Sequence, residues 1–458
     1  MLGIVVSRAD SASVHIGEQL LEVADWERHE DDTRPDAAGG GTVYRSDGVS
    51  LREFEALHLD LERPAEVFEE PTLLVFASRH SGETGQLLTA HHTGNAGAAD
   101  YGGEPGAFAR ACPNAHARVL AALADHAPEG YDVGMECTHH GPTAVGAPSM
   151  FVEVGSSQPE WDDPAAARAV ARAILDLRDV PPDRPGEDRS RRQLVGLGGG
   201  HYAPRFERVV RETDWAVGHL LADWGLTALD EVATDDREST RRAVLDRVFR
   251  ESKAAYALVD GDRPELEATV ADLGYRPVGE TWVRETSGVD LGFARAVERA
   301  VTTVADGLRF GVTAPGTGER VREGWTVETL PRDLLDEAFG IDREQTRTAV
   351  ADTALAFETV EGGTRPTETV VLSEASDRER ILGRLVDVLG ARYDSLERRD
   401  GALLAREEVF DPDLARTLGV PEGPAFGRLS GGQPVEVDGE MIPPGAVTRE
   451  RERRFPLR

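Results

Sequence analysis

The stretch LLVFASRHSGETGQLLTAHHTGN, residues 73–95, decides how this chain is read. An apolar run, Leu73–Phe76, gives way to Ser78-Arg79-His80-Ser81. A second run, Gln86–Thr89, gives way to His91-His92-Thr93-Gly94-Asn95. Such runs, bounded by polar residues and glycine, are too short for buried helices and predict buried strands. Working outward, further strands are predicted at Leu2–Val6, Leu57–Leu61, Tyr131–Glu136, Met150–Val154 and Leu194–Leu197. Helical spacing falls between them, at Val14–Val23, Ala115–Ala127, Ala165–Leu177 and Arg205–Thr213. The third of these helices opens on an Asp163 N-cap followed by Pro164. Strand–helix alternation predicts a layered α/β domain. Polar inserts at 28–41 and 179–192 are expected as surface loops.

Beyond these elements a helix is predicted at Ser239–Ala254, a strand at Tyr256–Asp260 and a helix at Pro264–Leu273. The first domain is therefore placed at residues 1–287. Residues 288–458 read as an additional α+β domain, with a helix at Arg378–Leu389, a strand at Glu368–Leu372 and a Gly/Pro-rich β-like tract at 419–447. Nothing in that extension suggests a catalytic role.

Composition narrows the class. Acidic residues number 83 against 51 basic ones, for a net charge of -32, and every basic residue but Lys253 is arginine. An acid-rich, lysine-poor chain that is 40% hydrophobic fits a folded protein from a salt-loving organism. In molar salt counterion release adds little to affinity, so the acidity does not exclude an RNA partner. The opening MLGIVVSRAD has no basic region before a long apolar stretch, which predicts neither a secretory signal nor a membrane span. Two distant cysteines, Cys112 and Cys137, predict a reducing cytoplasm rather than a disulfide framework.

All twelve histidines fall between His15 and His219. Four segments concentrate them at predicted strand ends: Ser78–Ser81, Thr89–Asn95, Met135–Pro142, and Gly198–Arg205. Loops at the carboxyl ends of strands form the ligand crevice of an open α/β sheet, so the four are expected to converge. On an extended backbone Glu136, Thr138 and His140 share one face. His139 turns toward them only if the strand breaks at Gly141-Pro142. Imidazole and carboxylate are zinc ligands that leave a position open for water. A free carboxylate alternatively serves as general base. The plainer reading, an ordinary polar residue, is preferred for His15, His29, His58, His116, His126 and His219, and His92 stays open. Gly198–Gly200 offers amides for an anion, without the spacing of a nucleotide loop. No Gly-x-Ser-x-Gly elbow is present, which disfavours a serine nucleophile.

Taken together, these segments resemble the archaeal and plant type of D-aminoacyl-tRNA deacylase. The resemblance rests on Ser7–Ser13, Ser78–His80, Thr89-x-His91-x-x-Gly94-Asn95, Met135-Glu136-x-Thr138–Pro142 and His201–Phe206, over residues 1–287. It implies a three-layer α/β/α phosphorylase/hydrolase-like core, zinc as cofactor, and hydrolysis of the ester between a D-amino acid and tRNA. It carries over His80, His91, Glu136, His139, His140 and His201 without fixing their roles. Our own expectation makes Glu136, His140 and Thr138 catalytic and His80, His91, His139 and His201 metal ligands. Arg79, Asn95, Tyr202 and Arg205 are expected to contact substrate. The expected partner is D-aminoacyl-tRNA, with no membrane and no obligate protein partner, and a monomer is compatible. The alternatives are a metal-dependent peptidase or amidase on a similar scaffold, and a non-enzymatic tRNA-binding protein.

Overall fold

Among the described residues of 1–288, twelve strands build two sheets. They are β1 (Leu2–Ser7), β2 (Glu27–Asp31), β3 (Gly41–Ser46), β4 (Val49–Phe54), β5 (Leu73–Arg79), β6 (Leu87–His91), β7 (Asp132–Met135), β8 (Ser149–Gly155), β9 (Gln193–Leu197), β10 (Ala216–Leu221), β11 (Tyr256–Val259) and β12 (Arg276–Val278). The helices are α1 (Ser11–Val23), α2 (Pro113–His126), α3 (Gln158–Trp161), α4 (Pro164–Leu175), α5 (Pro204–Glu212), α6 (Asp223–Glu231), α7 (Arg237–Ser252), α8 (Pro264–Asp272) and α9 (Glu280–Glu285). The computed structural model describes residues 1–186, 190–231, 237–317 and 324–458. The chain divides into two units, Met1–Gly288 and Val289–Arg458.

The first sheet has the order β2-β3-β4-β1-β5-β8-β6-β7. Strands β4, β1, β5 and β8 are mutually parallel, while β6 runs antiparallel to β8 and parallel to β7. Central strands β1, β5 and β8 are buried almost throughout, as the continuous apolar runs require. Burying a side chain such as Phe76 or Phe151 contributes about 1.5–3 kcal/mol. Helices α1, α2 and α4 pack on this sheet and on one another. Asp10 caps α1 by accepting from the Ala12 and Ser13 amides, so the helix starts before the predicted Val14. Asp163 and Pro164 start α4 as predicted.

The second sheet, β10-β9-β11-β12, is wholly parallel. Val195, Leu197, Ala257 and Val259 face Val248, Phe249, Leu266 and Val270 of α7 and α8. On the opposite face the ring of Phe206, from α5, lies so close to Gly196 that a β-carbon there would come within 2.9 Å of it. This sheet is therefore covered by helices on both sides, the α/β/α layering expected.

Two expectations are corrected here. Leu57–Leu61 is not a strand but carries a 3-10 turn at His58–Asp60, because His58 buries its ring edge-on to Phe76 and Phe151. The insert 28–41 is not all loop: β2 pairs antiparallel with β3 as a charged, exposed sheet edge. Within the second insert, residues 187–189 lie outside the described residues.

Among its described residues the second unit has one four-stranded antiparallel sheet, one three-stranded sheet and a hairpin. Its main core gathers Leu334, Phe357, Val370, Leu382, Leu385 and Phe455. The tract 419–447 is more than β-like, since it holds a helix at Pro424–Ser430 between Gly423 and Gly431. Among the described residues no helix is long and apolar enough to cross a membrane.

Candidate active site

Register decides what meets what. Phe76 and Ser78 of β5 lie opposite Phe151 and Glu153 of β8, and Thr89 and His91 of β6 lie opposite Glu153 and Phe151. Directly paired residues share a sheet face, so these side chains form one surface, continued by His80 just after β5. Because β6 runs against β5, His80 and His91 leave their strands in opposite directions. The site therefore spreads across the face of β5, β8 and β6 rather than along one edge of carboxyl ends. Residues 136–138 then bridge the two sheets: Cys137 donates its amide to the His201 carbonyl, and Thr138 donates to that of Leu220.

Glu136 is the hub. Its Oε2 lies 2.7 Å from His201 Nε2, and its Oε1 lies 3.3 Å from His80 Nδ1. Glu153, equally buried, lies 3.8 Å from His80 Nδ1 and 3.7 Å from His91 Nε2. Sequence reading missed Glu153; its signal is a lone carboxylate in the otherwise apolar run Met150–Val154. Burial acts to raise the Glu136 pKa, but the His201 hydrogen bond and the neighbouring imidazoles of His91, His80 and His139 outweigh it and hold it below the usual range. Burial prevails at Glu153, whose pKa is raised despite its contact with His91. The Cys137 thiol, 3.8 Å from His201 Nδ1, together with Glu136 pushes the His201 pKa up to about 10.

The histidines divide by what their ring nitrogens touch. His91, His139 and His140 each place Nδ1 against a backbone carbonyl, of His92, Cys137 and Gly141, at 3.1, 2.9 and 2.7 Å. A carbonyl only accepts, so Nδ1 carries the proton and Nε2 keeps its lone pair. Their ligand atoms lie within 4.8 Å of one another, and His91 Nε2 is buried without a hydrogen-bond partner. These are the properties of a histidine metal set. His80 and His201 instead engage both nitrogens: Tyr202 Oη lies 2.9 Å from His80 Nε2. Cys137, His139 and His201 make a second group of matching size, and His80, Glu136 and Glu153 a third. The four ligands expected from sequence thus do not form one set.

The other expected residues make the following contacts. Thr138 Oγ1 meets His219 Nδ1 at 3.1 Å and accepts from the Leu220 amide, which ties the two sheets together. Arg205 pairs with Asp260 and Glu280. Asn95 donates to the Gly102 and Glu104 carbonyls and shapes its own loop. Arg79 lies over the Trp161 ring, its centroid 5.1 Å away. The Gly199 amide is taken by Asp223, so Gly198–Gly200 is no anion cradle. His92, His116 and His219 are buried and bonded to backbone carbonyls, in line with the plainer reading for the last two.

An α/β protein with a histidine–carboxylate centre of hydrolytic type is the class that this fold and site define. The profile of the family described as D-aminoacyl-tRNA deacylase matches residues 67–277. A D-aminoacyl-tRNA deacylase of Haloarcula marismortui is 58% identical over 458 residues, covering 100% of both chains. Another, from Natronomonas pharaonis, is 53% identical over 99% of this chain and 100% of its own. One from Methanosphaerula palustris is 33% identical over 97% and 95%. A crystal structure of a conserved protein of unknown function aligns with TM-score 0.53 and 29% identity, covering 63% of this chain and 98% of that one. The chain belongs to the D-aminoacyl-tRNA deacylase family.

Proposed function

We propose that this chain hydrolyses the ester joining a D-amino acid to the 3′ end of tRNA, releasing both, and that residues 1–288 hold the active site. It is proposed to work in the cytoplasm at high salt, where its acid-rich surface stays soluble. The observation that carries the mechanism is the division of the histidines by their hydrogen bonds. His91, His139 and His140, with free Nε2 lone pairs, are assigned as the ligands of a zinc ion. Three imidazoles with a fourth position open match catalytic zinc sites. When bound there, zinc supplies Lewis-acid polarisation of the ester carbonyl.

The remaining residues handle protons. His80 presents Nδ1 to Glu136 and Glu153, which holds Nε2 as the basic atom. Nε2 takes a proton from water as the water oxygen bonds to the ester carbon. Glu136 is assigned to orienting and charge balance, since its depressed pKa makes it a weak base. His201, cationic and with its side chain 36% exposed, gives a proton to the departing ribose oxygen as the carbon–oxygen bond breaks. Tyr202 donates to His80 until substrate water replaces it.

The test is release of D-tyrosine and L-tyrosine from matched aminoacyl-tRNAs in molar salt, with and without chelator. Release of the D form alone, lost on chelation and restored by zinc, is expected. Absence of release from folded, zinc-loaded protein would sink the assignment.

A further inference from the structure

Among the described residues of 1–288, the exposed large hydrophobic side chains are all aromatic: Tyr101 at 70%, Trp224 at 50% and Tyr202 at 36%. Each is tied by its backbone neighbourhood to the active site. Tyr202 follows His201. The Tyr101 carbonyl accepts from the Gly141 amide at 2.9 Å, immediately beyond His140. Trp224 follows Asp223, whose carboxylate and amide bond the Gly199 amide and carbonyl at 2.8 and 2.9 Å, two residues before His201. The Tyr101 loop and the start of α6 also touch: a β-carbon on Gly97 would lie 2.7 Å from Ala228, and one on Gly225 would lie 3.7 Å from Ala96. Tyr101 and Trp224 therefore stand on two elements that pack together beside the catalytic centre.

Exposing two large rings costs solvation unless something covers them. The charge of the chain says what kind of contact suits its substrate. With 83 acidic residues against 51 basic ones, the surface repels phosphates, and molar salt screens what attraction remains. Stacking of a base on an aromatic ring does not depend on counterions and tolerates any base. The base nearest the scissile ester is that of the terminal nucleotide, an adenine in tRNA.

Resting on the deacylase reading, we propose that Tyr101 and Trp224 form a stacking platform for the 3′-terminal adenine of the aminoacyl-tRNA, holding the ester against His80 and His201. Asn95 acts through this platform, because its two hydrogen bonds hold the turn that presents Tyr101.

The experiment crosses protein and RNA changes. Binding of an uncharged acceptor minihelix ending in CCA, and of one lacking the terminal adenosine, is measured by fluorescence titration in molar salt. The proteins are the full chain, Tyr101→Ala, Trp224→Ala and the double variant, with Tyr101→Phe as the conservative control and circular dichroism confirming the fold. The parent should lose about 5- to 100-fold in affinity when the adenosine is removed. The double variant should bind both minihelices equally weakly, and Tyr101→Phe should behave as the parent. Equal affinity of the parent for both minihelices would overturn the proposal. So would a penalty that persists in the double variant. A parent that binds with this terminal-base preference yet releases no D-tyrosine would refute the deacylase assignment and leave the platform standing.

Discussion

His80 stands between two carboxylates and a phenol, while ring nitrogens of His91, His139 and His140 lie within 4.8 Å of one another. The roles proposed for them differ, and substitution should separate them. His80→Ala is expected to lower kcat on D-aminoacyl-tRNA by on the order of 10²- to 10⁴-fold. Zinc measured in purified protein should fall in His91→Ala, His139→Ala and His140→Ala and persist in His80→Ala and His201→Ala. Equal loss from all five would refute the division. The residues themselves were readable, because histidines at the ends of short apolar runs are unusual. Their roles were not, because the contacts that set His80 and His201 apart form only in the fold: His80 meets Glu136 and Glu153, and His201 meets Glu136, 65 residues away in the chain. Glu153 was not legible because a single carboxylate inside an apolar strand leaves the strand pattern unchanged.

At the scale of elements, the SRADSAS segment at Ser7–Ser13 is a brace. Asp10 caps α1 and also accepts from the Arg79 amide at 3.2 Å, and Ser13 donates to the Ala77 carbonyl at 2.6 Å, so β1, α1 and the end of β5 move together. Across from them, Gly155 ends β8 where a β-carbon would come 2.7 Å from the His80 β-carbon. Gly155→Ala should therefore cost roughly 1–3 kcal/mol by overpacking. By displacing His80 it should also cut kcat at least about tenfold, because a catalytic group moved off its position loses its alignment with the substrate. Unfolding midpoints and kcat check the two halves, and a fully active variant would contradict the crowding. Most strands and helices were legible from apolar runs and spacing. The hairpin of β2 and β3 was not, since the pairing of a charged edge strand leaves no apolar pattern, and neither was the reversal of β6 within the sheet.

Across the whole molecule, buried neutral histidines set the acid limit. Burial pushes His116 down to about 4 and His58 and His219 down to about 3. Each takes up its proton near pH 6.5 when unfolded, and each unit of difference corresponds to about 1.4 kcal/mol. Their stabilisation is complete above about pH 6.5 and is lost as pH falls through the interval toward the folded values. Thermal midpoints in molar salt should drop steadily from pH 7 to pH 4, and His116→Gln should flatten that slope; an unchanged slope would refute this assignment. The chain's order of assembly follows from one earlier feature, the bridging of the two sheets at residues 136–138. His80, His91, Glu136 and Glu153 are synthesised before His201 and the strand that follows it. A growing chain therefore carries the residues of the first sheet before it has made His201, the residue assigned as proton donor. The proposed centre is complete only once the second sheet has been made and has joined the first at residues 136–138.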